Sequence, residues 1–360
     1  MGDKSQIPAP ADHSKVNSAR RMGRSTQDLA EDLFDPVKNK KRSKMGKGPK
    51  VIIGVSVFLV VAVLGIGIYL LTFKTHLDNS LHNGLPVNDM EALNQTLEKL
   101  TNSTAPYYVL VVGSDTRVSG EDSRSDTIML CRIDPVGKQA SILSIPRDIK
   151  VQLLGHGTQK INAAMAFDGP AGAVAAVSDF VGVPIAHYIE IDFDGFKDIV
   201  NALGGVSVDV PVNTEYDGVS LAPGKQILNG DQALVFVRCR KTYSAGDFQR
   251  AANQRQLLAA VGKDILGSAP TAIPGLVSRL SSCVNTDMGA TEIIQTALAL
   301  RGMNTNTNLA DGQVPCITAT IDGISYDLPV EGKWDSVKQK FIDGTIPFVS
   351  DDEKQPNVAG

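Results

Sequence analysis

Residues 51–73, VIIGVSVFLVVAVLGIGIYLLTF, carry no charged side chain, and no other feature limits the folding of this chain as strongly. At about 1.5 Å of rise per residue, a helix of that length crosses a hydrocarbon layer of about 30 Å. A buried core helix is the competing reading, but such helices seldom run so far without a charge. Lysine and arginine crowd the stretch before the run, KNKKRSKMGKGPK at 38–50, and only Lys74 follows it closely. The positive-inside rule then keeps the N-terminus in the cytoplasm and places everything after the span outside the cell membrane. No small-residue cleavage pattern follows the run, so it reads as an uncleaved, single-pass signal anchor.

Residues 1–50 are poor in large apolar groups and read as a disordered, basic cytoplasmic tail. Their basic run either touches anionic membrane lipid or, more simply, sets topology. Residues 74–105 hold one amphipathic pattern, MEALNQTLEKL with Asn88 or Asp89 as its cap, and read as an extracytoplasmic stalk.

From Pro106 the pattern alternates. YYVLVVG, DTIMLCRI and QASILSI are short β-branched runs bounded by turn residues, the mark of buried strands. An alanine-rich helical stretch lies between Gly169 and Gly182. It is followed by a strand HYIEID, a helix from Phe193 to Leu203, a strand VSVDV, a strand ALVFVRCR and a long helix from Gln249 to Leu266. Such alternation packs helices on both faces of one sheet. The expected fold is a three-layer α/β/α sandwich with a central mixed β-sheet, mixed because several connections are short, preceded by the single N-terminal transmembrane helix. Two helical stretches follow, then ITATIDGISYDL with a hairpin turn at Asp322-Gly323, and a helix from about Trp334 to Ile342. Residues 268–345 are either part of the same domain or a small accessory unit, and 346–360 read as a disordered tail.

A hydrophobic content of 42% supports a full-sized core, while a net charge of −4 argues against a general nucleic-acid binder. A phosphate site on such a chain has to be a local gathering of arginines. On the strand reading of VFVRCRK, Arg238 and Arg240 share a face, and Arg250 and Gln254 share a face of the next helix. Two adjacent guanidiniums repel unless an anion lies between them, and arginine binds phosphate in bidentate fashion. Three strands end in Ser114-Asp115-Thr116-Arg117, begin with Arg124-Ser125-Asp126-Thr127, or end in Ser144-Ile145-Pro146-Arg147-Asp148. Functional side chains collect beyond strand ends in α/β sheets. Asp115 and Asp126 either hold a hard cation against substrate phosphate or cap turns and pair with Arg117 and Arg124. Asp247 either deprotonates or orients an acceptor hydroxyl, or caps the helix that follows it.

All four cysteines follow the span, where disulfides persist. Three connectivities exist; Cys283 with Cys316 and Cys131 with Cys239 is the preferred one, and four buried thiols is the alternative. With no CxxC pair, and no HExxH spacing among five histidines, zinc is not expected.

GSDTR, RSDT, SIPRD, KINAA, HYIEID, ALGGV, LNGDQAL, VRCR and GDFQRAANQ occur in this order, and the series resembles the LytR-CpsA-Psr family from Pro106 to Leu266. The resemblance implies a catalytic domain over 106–267. It implies a phosphotransferase that moves a glycopolymer, such as a teichoic acid or capsular polysaccharide, from a polyprenyl-pyrophosphate carrier to a cell-wall acceptor, typically a peptidoglycan sugar hydroxyl. It also implies Mg²⁺ or Mn²⁺ at Asp115 and Asp126, and pyrophosphate contacts from Arg124, Arg147, Arg238, Arg240, Arg250 and Gln254. Arg117, Lys160 and Asn162 belong to the matching motifs with less defined roles. Asn253 departs from the pattern, since many relatives have arginine before the glutamine. Ala171 to Val181 could line a tunnel for the isoprenoid, or be an ordinary helix packed on a sheet. Two other classes of function compete: a polyprenyl-pyrophosphate pyrophosphatase, and a non-enzymatic lipid-binding or sensory envelope protein.

Overall fold

Side-chain alternation along the first strands sets the layers. In β1 (Tyr107–Ser114) Leu110 and Val112 join one apolar cluster while Val109 and Val111 join another, as a pleated strand buried on both faces requires. The computed structural model describes residue 62 and residues 71–100, 104–114, 125–240, 242–243 and 246–349. The tail 1–50, nearly all of the expected span 51–73, and Asp115, Arg117 and Arg124 lie outside the described residues. Among the described residues no helix is long and apolar enough to cross a membrane.

Helical residues 71–82 lead into α1 (Val87–Thr96), which opens at Pro86 without a side-chain cap and carries Asp89 in its first turn. Leu85, Leu93 and Leu97 belong to the main core, so the described residues that carry them, 85–97, pack on the domain and do not stand off as a stalk. β1, β2 (Ser125–Asp134) and β3 (Gln139–Ser144) form an antiparallel meander. After the small hairpin β4 (Lys150–Leu153) and β5 (Gly157–Lys160), α2 (Ala163–Val181) kinks at Asp168, Gly169 and Pro170. β6 (His187–Ile191) then returns parallel to β1.

α3 (Phe193–Ala202) precedes β7 (Val206–Val210), the short pair β8 (Thr214–Tyr216) and β9 (Val219–Leu221), and β10 (Gly224–Leu228). β7 pairs with β10 and not with the central sheet. α4 (Gly230–Arg238), α5 (Asp247–Gly267) and α6 (Ile273–Leu280) follow. β11 (Asn285–Thr286), α7 (Ala290–Leu300), β12 (Leu309–Gln313), the hairpin β13 (Cys316–Ile321) and β14 (Ile324–Pro329), and α8 (Lys333–Asp343) complete the described chain.

The central sheet is mixed, with order β11-β6-β1-β2-β3-β12. Its two outer strands come from beyond residue 267: β11 runs antiparallel to β6, and β12 runs parallel to β3. The C-terminal segment therefore completes the same domain. One sheet face packs on α2 and α8 through Val174, Val177, Trp334 and Phe341. The other lies under α5 through Leu258 and Ala259. The hairpin turns at Asp322 (φ 52°) and Gly323 (φ 78°), the paired left-handed residues of a primed turn. Residues 346–349 are not a loose tail, because Phe348 is fully buried against Phe341. Burying a phenyl ring contributes about 1.5–3 kcal/mol.

Candidate active site

Arg147 leaves the end of β3 on a backbone fixed from two sides: Asn162 N–H donates to its carbonyl at 3.2 Å, and Ile161 N–H donates to the Ile149 carbonyl at 2.8 Å. The KINAA segment thus acts on the site by holding the arginine loop. Lys160 turns to Asp148, 2.9 Å away. Arg147 Nη1 donates to Asp126 Oδ1 at 2.5 Å, and its Nη2 lies 3.8 Å from Asp247 Oδ2. Burial works against the charge on Arg147, but the Asp126 hydrogen bond and the fields of Asp126, Asp148 and Asp247 outweigh it and raise its pKa.

Asp247 does not cap α5 with its side chain. Gly246 occupies the cap position with φ 50°, a left-handed conformation that favours glycine. Asp247 is then the first helical residue and meets three guanidiniums: Arg147, Arg240 at 3.7 Å and Arg250 at 3.4 Å. Arg250 differs from Arg147 in the direction of its shift. Burial lowers its pKa, Asp247 opposes that, and Arg147 and Arg240 add to the lowering. The Nε–H groups of Arg147 and Arg250 are buried with no hydrogen-bond partner. Such a cluster favours an incoming anion.

ALVFVRCR is a helix, α4, and not the expected strand. Asn229 accepts from Gln232 N–H at 3.0 Å while the Gln232 side chain accepts from Asn229 N–H at 3.1 Å, a capping box that starts the helix. A short apolar run does not distinguish helix from strand by periodicity; LNGDQ was the signal that could have done so. Arg238 closes the last turn and Arg240 lies beyond the extended Cys239, so the pair does not share a strand face. Both nevertheless line one cavity. Arg238 stacks over Phe193 at 4.4 Å and Tyr216 at 5.0 Å, two aromatic positions that the sequence reading passed over. Gln254 Nε2 donates to the Val237 carbonyl at 3.3 Å, tying α5 to the end of α4.

The cavity has a volume of about 780 Å³ and lies between the sheet and α3, α4 and α5. Asp126, Arg147, Arg238, Arg240, Arg250 and Gln254 contribute its polar wall, Asp192, Glu215 and Asp217 add carboxylates to the lining, and side chains such as Ile199, Leu234, Leu257 and Val261 line its apolar part. Gly113 admits the close approach of Thr127, whose Cβ would lie 3.0 Å from an added methyl. Ala171 to Val181 do not line this cavity. Ala173, Val174, Ala176, Val177 and Val181 are buried in the core on the opposite sheet face, so the helix reading holds for that stretch.

Asn253 does not line this cavity either. It is buried and donates to the Phe236 carbonyl at 3.0 Å and to Tyr243 Oη at 2.9 Å, while its oxygen accepts from Gln249 at 3.0 Å. The cysteines are all free and buried, which corrects both expected disulfides. Cys131 sits in the sheet core and Cys316 in β13, and burial raises both thiols, Cys131 to about 12. Cys239 lies 3.1 Å from Thr242 Oγ1, and Cys283 follows α6.

Asp126 offers a carboxylate to the cavity, 40% exposed at its side chain, and hard carboxylate oxygen suits Mg²⁺ or Mn²⁺. Asp115, the residue after Ser114, would supply the second carboxylate. Ser114 pairs with Ser125 in the β1–β2 register, so each aspartate is the sequence neighbour of one member of that pair.

An apolar cavity walled on one side by guanidiniums has the chemistry that suits an amphiphilic anion, and it sits on an α/β scaffold. The chain belongs to the LytR_cpsA_psr family, whose profile matches residues 70–342. A relative from Bacillus anthracis, named polyisoprenyl-teichoic acid–peptidoglycan teichoic acid transferase TagU, is 38% identical over 216 residues, covering 59% of this chain and 71% of the relative. A relative of the same name from Enterococcus faecalis is 30% identical over 303 residues, covering 82% of this chain and 97% of the relative. Among solved structures, the crystal structure of B. subtilis TagV is 29% identical with a TM-score of 0.62, covering 68% of this chain and 99% of that one.

Proposed function

We propose that this protein transfers a glycopolymer, of the teichoic acid kind that its relatives are named for, from a polyprenyl-pyrophosphate carrier to a peptidoglycan hydroxyl. The observation that carries the reading is the joining of an apolar cavity to a wall of arginines. One part suits an isoprenoid, the other a pyrophosphate, and the two are chemically joined in the carrier lipid. Membrane anchoring through residues 51–73 would hold the site beside the lipid that delivers the carrier.

Phosphoryl transfer asks the protein for position and for charge neutralisation on the phosphate oxygens. Arg147, Arg240 and Arg250 hold the non-bridging oxygens, and Arg238 stiffens the wall through its two aromatic neighbours. A divalent cation held by Asp126 and Asp115 would draw charge from the leaving phosphate. The acceptor oxygen bonds to the phosphorus next to the glycopolymer, and the bridging P–O bond to the carrier phosphate breaks. Its electron pair leaves on polyprenyl phosphate, and the hydroxyl proton passes to Asp247. In proteoliposomes with the lipid-linked polymer, Mg²⁺ and peptidoglycan, the protein should yield wall-linked polymer and polyprenyl phosphate in equal amounts. Release of free polymer phosphate at an equal rate without acceptor would favour a pyrophosphatase instead.

A further inference from the structure

A second cavity, of about 290 Å³, shares Asp126, Thr127, Arg147, Arg250 and Gln254 with the first. Those residues therefore form a partition that borders both cavities. The two cavities differ in chemistry. The first joins its long apolar lining to four guanidiniums and to Asp126, Asp192, Glu215 and Asp217, whereas the second adds to the shared residues the carboxylates of Asp148, Asp247 and Asp327, the hydroxyls of Thr318 and Ser325, and the ring of Phe248.

The hairpin β13–β14 provides three of these groups, and its place is fixed. Asp327 N–H donates to the Asp148 carbonyl at 2.9 Å, and Thr318 Oγ1 donates to Asp327 Oδ1 at 2.8 Å. The hairpin lies wholly outside the stretch 106–267 that the motif series covers, so nothing in that series assigns it a role. The second cavity is lined by four carboxylates, Asp126 included, against two guanidiniums, whereas the first has four of each; that excess of negative charge disfavours a second phosphate or the pyrophosphate itself. It favours a neutral partner with many hydroxyl donors, since carboxylates accept charge-assisted hydrogen bonds. A ring face beside such acceptors suits the apolar face of a sugar, and the volume is near the lower end of small-molecule sites, about 300 Å³. Burial raises the pKa of Asp327, the Thr318 bond opposes this, and the fields of Asp148 and Asp247 add to the rise.

We propose that this second cavity receives the acceptor sugar, with Thr318, Ser325 and Asp327 of the hairpin selecting it and the partition at Arg147 presenting its hydroxyl to the pyrophosphate. The proposal rests on the transfer reading above. It gives the two substrates separate cavities bordered by one arginine wall, and makes the C-terminal hairpin a specificity element.

Ser325 and Thr318 are exposed, so Ser325→Trp and Thr318→Tyr fill the cavity without disturbing the core. The full-length protein in proteoliposomes, given lipid-linked polymer and soluble peptidoglycan oligosaccharides, should show an acceptor KM at least ten-fold higher in either variant. The donor KM should stay within two-fold. Calorimetric binding of the oligosaccharides alone, measurable for the wild-type protein, should be lost in Ser325→Trp. Unchanged acceptor KM in variants of a protein that does transfer polymer overturns the cavity assignment, as does an equal rise in both KM values. Oligosaccharide binding that Ser325→Trp abolishes, in a wild-type protein that transfers nothing, keeps the cavity and overturns the transfer reading.

Discussion

Arg147 Nη1 lies 2.5 Å from Asp126 Oδ1, a contact that joins the start of β2 to the loop after β3. The same guanidinium reaches toward Asp247 on α5, so one side chain links three elements at the partition between the two cavities. Its raised pKa comes from these carboxylates, against the effect of burial.

Arg147→Ala should lower the transfer rate by at least about 100-fold, about 2.7 kcal/mol of transition-state stabilisation, with little loss of thermal stability because Asp126 can be solvated. Arg147→Lys keeps the charge and loses the fork that spans Asp126 and Asp247, and should recover only a small part of the rate. Single-turnover rates on lipid-linked polymer, with melting curves alongside, test both; full activity in the lysine variant would contradict the geometric role.

Chelation should abolish transfer, and Mg²⁺ or Mn²⁺ should restore it. Asp126→Asn should raise the metal concentration needed for half-maximal rate by about ten-fold or more, since a carboxylate binds a hard cation better than an amide does. The variant keeps an oxygen that can accept from Arg147 Nη1 but removes the charge that faces it. Titrating metal against rate in both proteins decides the matter: the same half-saturation point in each would remove Asp126 from the metal site.

Asn253→Ala should affect folding and leave the site intact. It removes hydrogen bonds at Phe236, Tyr243 and Gln249 in a buried position, a cost of about 1–3 kcal/mol, which is a few degrees in melting temperature. Donor KM should not change. A variant with wild-type stability and weakened donor binding would place Asn253 among the phosphate contacts after all.

The sandwich, the order of most elements and the gathering of arginines were legible because they rest on local signals: β-branched runs, helical spacing, and charge at strand ends. Two kinds of information were not. The helix α4 was read as a strand because VFV fits either period, and the Asn229–Gln232 capping box that settles it is a side-chain event one turn earlier. The second kind is long-range. Nothing local in LADGQ says that it pairs with QASILS to complete the sheet, nor that Phe348 folds back onto Phe341. The same limit applies to the cavities: Leu234 on α4 and Leu257 on α5 line the first, whereas the alanine-rich α2 that looked suited to the task is core on the other face.

His187 provides a pH-dependent lock on the C-terminal segment. Its Nδ1 lies 2.8 Å from Asp287 and its Nε2 3.2 Å from Glu292, while the other Asp287 oxygen accepts from Tyr188 N–H at 2.6 Å. Burial opposes the charge on the ring, but the two carboxylates outweigh it and raise its pKa to about 9, above the ordinary 6.5. A raised histidine stabilises the fold fully below its unfolded pKa, and the contribution is lost as pH rises through the folded value. Glu292 is shifted the other way, lowered chiefly by its contact with His187, so its share is present above the ordinary carboxylate value and lost as pH falls. The melting temperature should therefore fall between pH 6.5 and about 9.5, by an amount corresponding to on the order of 3 kcal/mol if the whole shift acts on folding. In His187→Gln the slope over that interval should flatten, at a lower starting stability. Scanning calorimetry of both proteins across the interval is the check: parallel slopes would show that other groups, and not this histidine, set the alkaline limit of the fold.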